Sequence, residues 1–300
     1  MWLLFAFSGP VLWAVSIHLD KYLVGRYFAQ SSVAVLLVFT ALFGLLLLPP
    51  IWFLRPAVTE LPLGGMALLA LSGLLYMTAI FFYLQALQSE EASVVAPFFQ
   101  AAPLFGYVLA YIVLGERLSA MQMLGGGLIV AGGALLSVGP DGRRSFKGRL
   151  VMLMLACAFA LALTGLIFKI YAVRDEFWTA TFWAFVGQAL FGGILLAIAR
   201  YRRQLAALLR ANPAPVLAIS GANELINLGG ILGARYALLF APLSLVQAIG
   251  STTSLFVFAI GAALSVSYPA LGREDLSAGN LAQKAVSALL VAAGAILINW

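Results

Sequence analysis

Apolar residues gather in runs of roughly twenty along the whole chain, separated by short polar breaks. Ten runs are read, at about 2–23, 32–54, 63–87, 93–114, 119–138, 149–171, 178–199, 215–238, 242–264 and 283–300. A helix needs ~20 mostly apolar residues to cross a bilayer, so each run predicts one membrane-spanning helix. Spans of this length leave almost no room for a soluble domain. The first run has no basic segment ahead of it. It is expected to stay as a helix and not to be cleaved as a signal peptide.

The second half of the pattern echoes the first. At an offset of 148, Ala70-Leu71-Ser72-Gly73 returns as Ala218-Ile219-Ser220-Gly221, Phe43-Gly44 as Phe191-Gly192, and Lys21 as Lys169. At 147, Gln100-Ala101 returns as Gln247-Ala248. At 161, Gln122, Leu128, Val130 and Gly133 return as Gln283, Leu289, Val291 and Gly294. The matches keep chain order, which chance in an apolar chain does not explain. Two halves follow, 1–140 and 148–300, joined by Pro140-Asp141-Gly142-Arg143-Arg144-Ser145, a stretch of turn chemistry. Each half holds five spans. An odd number inserts the second half upside down, giving an inverted-topology repeat. The expected fold is an all-α polytopic membrane protein of ten helices, in two inverted five-helix repeats around a central cavity.

Composition narrows the function. Apolar residues make up 63% of the chain and charged residues 9%, against about 25% charged in soluble domains. Mean hydropathy is +1.05. Cys157 is the only cysteine and His18 the only histidine, which excludes a disulfide, a thiol metal cluster and a multi-histidine metal site. No Walker-type glycine loop is present, so ATP drive is not expected. No cofactor is expected. The net charge of +6 is assigned to loops, not to a nucleic-acid partner. Of the 17 basic residues, 12 fall on the side of the 1–2, 3–4, 5–6, 7–8 and 9–10 loops. The positive-inside rule then puts that side in the cytoplasm and both termini outside. The expected location is the cell (inner) membrane, multi-pass, as monomer or homodimer.

Three local patterns carry a family resemblance. They are Asp20-Lys21-Tyr22 at the end of the first span, Leu114-Gly115-Glu116-Arg117-Leu118-Ser119 between spans 4 and 5, and the glycine-rich stretch Gly125 to Gly133. With them, the chain resembles the drug/metabolite transporter superfamily, in particular its EamA-domain members. The junction is similar to that family's "LGE-x-L" turn, and its second-half counterpart is reduced to Leu271-Gly272-Arg273-Glu274. The resemblance implies a ten-helix basket whose cavity is lined mainly by spans 1, 3, 4, 6, 8 and 9. It also implies both termini in the cytoplasm, opposite to the loop count.

Glu224 is the sharpest chemical position. It falls near the midplane of the eighth span, where an ionised side chain costs ~2.5–3.5 kcal/mol on insertion scales. Asn223 and Asn227 make that stretch of helix polar. Glu224 is expected to bind a cationic group or carry a proton; the alternative is a structural carboxylate pinned by a neighbouring helix. The offset of 148 pairs it with Tyr76. Tyr76 shares a helix face with Tyr83, and Trp13 and Trp183 also lie inside spans. Such rings attract cations or simply pack. Trp2, Trp52, Trp178 and Trp300 sit at span ends, as interfacial anchors do. Gln100 and Gln247, a repeat pair, are substrate ligands or interhelical glue, with Tyr107 on the face of Gln100. Gln188 reads as glue. His18, Asp20, Lys21 and Lys169 lie at span ends as candidate gating or coupling groups. The lysines otherwise snorkel to the interface, and Asp20 otherwise pairs with Lys21 or a neighbouring chain.

These residues point to a secondary transporter that moves a small polar metabolite, an amine or an amino acid, by alternating access. Coupling would be to protons, or by exchange, through Glu224. The alternative is a flippase for a lipid-linked carrier, which would need a basic groove. An enzyme is not expected, because no triad, metal set or paired intramembrane carboxylates stands out.

Overall fold

The computed structural model describes residues 2–29, 31–114, 119–136, 148–175, 177–237, 240, 249–250, 252–267 and 277–298. The linker 137–147, the "LGE-x-L" turn and most of the 9–10 loop lie outside them. Every regular element among the described residues is helical. The first five are α1 (Trp2–Arg26), α2 (Val33–Leu54), α3 (Leu63–Ser89), α4 (Ala92–Val95) and α5 (Ala101–Leu114). Then come α6 (Ala120–Leu136), α7 (Gly148–Asp175), α8 (Phe177–Ala197), α9 (Ala199–Ala211) and α10 (Pro213–Ala237). Helices α11 (Thr253–Ser267) and α12 (Ala278–Ile298) complete the set.

By length and composition, α2, α3, Gly148–Tyr171 of α7, α8 and α10 are long and apolar enough to cross a membrane. Their outer faces are apolar too: Phe53 is 82% and Ile194 58% exposed. Apolar surface on this scale is a liability in water and ordinary in lipid. Trp52 and Trp178 are exposed near an end of α2 and α8, where interfacial anchoring was expected.

Two elements differ from the sequence expectation. The fourth run is interrupted: α4 passes into a 3-10 segment, Ala96–Gln100, before α5 begins. Pro97 lies in that segment and has no N–H for an α-helical bond. The 7–8 connection is itself a helix, α9. Its Leu208 is buried, and Tyr201, Leu205 and Leu209 pack against the core. Arg200, Arg202, Arg203 and Arg210 face away. Apolar residues at i, i+4, i+7 and i+8 predict this stripe, but so many arginines make the stretch read as a loop.

The main packing partners of α1 are α10 and α11; those of α3 are α7 and α8. In addition, α2 packs on α8, α5 on α7, and α6 on α12. The closest approach joins α3 to α8. A Cβ on Gly73 would lie 1.9 Å from the Ala184 carbonyl oxygen, and one on Gly187 would lie 1.8 Å from that of Ala70. Across α6 and α12, Ser287 Oγ donates to the Gly132 carbonyl at 2.7 Å, and Gln283 Nε2 to that of Leu135 at 2.7 Å. Gln283, one of the repeat matches, thus joins helices.

Candidate functional site

The helices enclose a cavity of about 360 Å³, in the range of small-molecule sites. Helix α1 contributes Trp13, Ser16 and Asp20; α2 contributes Leu36 and Thr40; α3 contributes Tyr76, Ile80 and Tyr83. Helix α7 adds Thr164, Gly165 and Phe168, and α10 adds Asn223, Glu224, Asn227, Ile231 and Arg235. The α10 positions recur at steps of three or four, so they share one helix face.

Two carboxylates occupy this space, each held by neutral donors. Asp20 accepts from Tyr83 Oη at 2.9 Å and from Asn223 Nδ2 at 2.6 Å, tying α1 to α3 and α10. Glu224 accepts from Thr40 Oγ1 at 2.5 Å, tying α10 to α2. Asn227 is within hydrogen-bonding reach of both Glu224 and Tyr76. Among the described residues, neither carboxylate has a cationic partner. Of the alternatives open for Asp20, a pairing with Lys21 is not the one seen. Successive side chains on a helix diverge, and Lys21 points away from the cavity.

A cluster of polar closures lies where α1 ends. Lys21 Nζ donates to the Leu87 carbonyl at 2.7 Å and also to that of Glu90, closing α1 on the end of α3. His18 Nε2 lies 2.9 Å from the Val257 carbonyl, which requires the proton on Nε2 and joins α1 to α11. Lys284 of α12 forms a part-buried ion pair with Glu91, just ahead of α4. Lys284 is only 7% exposed.

Other expected site residues stand elsewhere. Trp183 does not line the cavity: its indole N–H donates to the Val58 carbonyl at 2.7 Å, in the 3-10 turn Pro56–Thr59. Tyr107 and the half-buried Lys169 are also off the lining. Gln247 and the side chain of Gln100 lie outside the described residues. Trp183→Phe is expected to cost about 1 kcal/mol of stability, one hydrogen bond's worth. Ligand binding in the cavity should be unchanged, and a thermal melt with titration of the detergent-solubilised protein checks both.

Thr40 and Arg235 are among the lining residues that escaped the sequence reading. Thr40 is the only hydroxyl-bearing residue in α2, a signal visible in retrospect. Arg235 lies eleven residues from Glu224, three helical turns on.

Apolar-faced helices around a ligand-sized, mostly apolar chamber with a few polar groups define a helical membrane protein with a candidate small-molecule site. A family model described as the EamA-like transporter family matches residues 1–138. That match places the first part of the chain, residues 1–138, among the EamA-like transporters of the drug/metabolite transporter superfamily, a family of membrane transporters. A comparison with curated proteins finds no match. One solved crystal structure, described simply as that of a protein, is similar in fold at a TM-score of 0.56 and 17% identity. That similarity covers 98% of this chain and 94% of the other.

Proposed function

We propose that the protein is a secondary transporter that moves a small metabolite bearing a cationic group. Alternating access would operate between two inverted halves of five spans each. The observation that carries the substrate reading is the pair Asp20 and Glu224. Both face one cavity, and both are held by hydroxyl and amide donors, with no cation paired to either among the described residues. Buried charge is stable only when paired or neutralised. A substrate ammonium, or a proton in its absence, supplies what the protein leaves out. Trp13, Tyr76 and Tyr83 add aromatic surface that favours cations. The EamA match over residues 1–138 supports the transporter class. The flippase alternative calls for a basic groove, and this lining holds two carboxylates and one arginine.

Helix packing supports the inverted repeat. Exchanging the first five expected spans with the last five turns the pair α1 with α10 into α7 with α3. The same exchange turns α1 with α11 into α7 with α5, and α3 with α8 into α10 with α2. Each of these partners is in contact. The closures by His18, Lys21 and Lys284 gather at the end of α1, while the lining continues along α1 toward Ala6. With the loop charges, this reads as a state closed to the cytoplasm and facing outward, with both termini outside.

Reconstituted into proteoliposomes, the protein is expected to accumulate labelled hexylamine when driven by a pH gradient or by internal counter-substrate. Flipping of labelled lipid without hexylamine uptake would overturn this reading.

A further inference from the structure

Arg235 is set in an unusual way for a cation near a span end. Such side chains normally extend outward to the headgroup region. Arg235 is two residues from the end of α10, and the next residue, Tyr236, packs on Phe177 at the start of α8, with ring centres 6.5 Å apart. The two helix ends are therefore level. Yet the guanidinium lies 4.6 Å from the ring centre of Phe168 and 5.9 Å from that of Phe185. These rings stand seven and eight residues inside the ends of α7 and α8, about 11 Å down at the helical rise. The side chain has turned inward, along the cavity wall. Its Nη1 is shielded and has no hydrogen-bond partner, and no carboxylate pairs with it among the described residues. Stacking on Phe168 offsets part of the cost of a half-buried cation, but leaves the Nη1 donor unused.

We infer that Arg235 is an anion subsite of the cavity, so that the transported molecule is a zwitterion whose two charges are set well apart. This rests on the reading of Glu224 and Asp20 as the cation site. Glu224 and Arg235 share one face of α10, eleven residues or about 16 Å apart along the axis. The arginine side chain spans part of that length. An ammonium and a carboxylate on one carbon cannot touch both ends, whereas an extended chain with a charge at each end can. The apolar middle of such a ligand meets Ile231 and Tyr76. A planar fork also suits a carboxylate, which it grips with two parallel hydrogen bonds.

Isothermal titration of the whole protein in nanodiscs tests this with four probes: ε-aminocaproate, its isomer norleucine, hexylamine and hexanoate. ε-Aminocaproate is expected to bind at least about tenfold more tightly than the other three, the factor that one charge-assisted hydrogen bond supplies. Arg235→Gln should remove its advantage over hexylamine and leave hexylamine affinity in place. Arg235→Lys, which keeps the charge, should retain part of the advantage and guards against a folding defect in the glutamine variant. Hexylamine binding as well as ε-aminocaproate, or an advantage that survives Arg235→Gln, overturns the anion subsite while the cation site stands. Hexanoate binding through Arg235 with no response to amines overturns the cation site instead. Tighter binding of norleucine overturns the separation of charges, and binding of none of the four overturns the inference as a whole.

Discussion

Glu224→Gln is expected to lower hexylamine uptake roughly ten- to a hundredfold and to remove its dependence on a pH gradient, without loss of folded protein. The size follows from a hydrogen bond to a charged group, about 1.5–3 kcal/mol, converted at 1.4 kcal/mol per tenfold. The specificity follows from the contacts. Thr40 Oγ1 donates to Glu224 Oε1, and a glutamine carbonyl accepts the same bond, so α2 and α10 stay joined. What disappears is the negative charge and the ability to exchange a proton. Glu224→Asp keeps the charge on a shorter stem and should fall between the two. Asp20 makes a useful contrast. Both its oxygens already accept bonds that hold α1, α3 and α10 together. Asp20→Ala leaves the Tyr83 hydroxyl and the Asn223 amide without their acceptor, and should depress the melting temperature as well as uptake. Uptake and gradient dependence measured side by side in proteoliposomes decide the matter. Wild-type uptake in Glu224→Gln would sink the mechanism, though not the transporter class.

The hydrophobic pattern carried most of the helical organisation, because a span is a local property: its length and apolar content are fixed within twenty residues. The site was only partly legible. Glu224, Asn223 and Asn227 stood out as polar residues inside an apolar run, and they share the cavity with Tyr76, Tyr83 and Trp13. Asp20 and Lys21 look equivalent in sequence at a span end. Only the packing of α1 against α3 and α10 turns one into the chamber and the other onto the carbonyls of Leu87 and Glu90. Arg235 went unnoticed for the same reason. Position near a helix end says nothing about whether a long side chain runs outward or doubles back, and that choice depends on Phe168 and Phe185 from other helices. Trp183 was misread in the opposite sense. Its partner is a backbone carbonyl in a 3-10 turn more than a hundred residues away, which no periodicity reveals.

Gly187→Ala and Gly73→Ala are each expected to prevent recovery of monodisperse protein, whereas Gly193→Ala on the same helix as Gly187 should be tolerated. Water drives helices together in soluble proteins, but between spans the drive is close packing, which small residues permit. At Gly187 the added carbon would sit 1.8 Å from the Ala70 carbonyl oxygen, and at Gly73 it would sit 1.9 Å from that of Ala184. Both obstacles are backbone, so no side chain can turn aside, and α3 must move away from α8. That movement opens a gap along both helices and also disturbs α7, which packs on α3 and presents Thr164 to the Ser72 carbonyl at 3.1 Å. Ordinary overpacking costs about 1–3 kcal/mol; a clash with rigid backbone at a helix crossing belongs at or above the top of that range. A Cβ at Gly193 meets nothing within 4 Å, and there alanine removes the glycine penalty of about 1 kcal/mol in a helix. Size-exclusion profiles and thermal melts of the three variants in one detergent separate these outcomes. A well-folded Gly187→Ala would mean that α3 and α8 lie farther apart than these distances state, and with them the chamber wall that α3 supplies through Tyr76 and Tyr83.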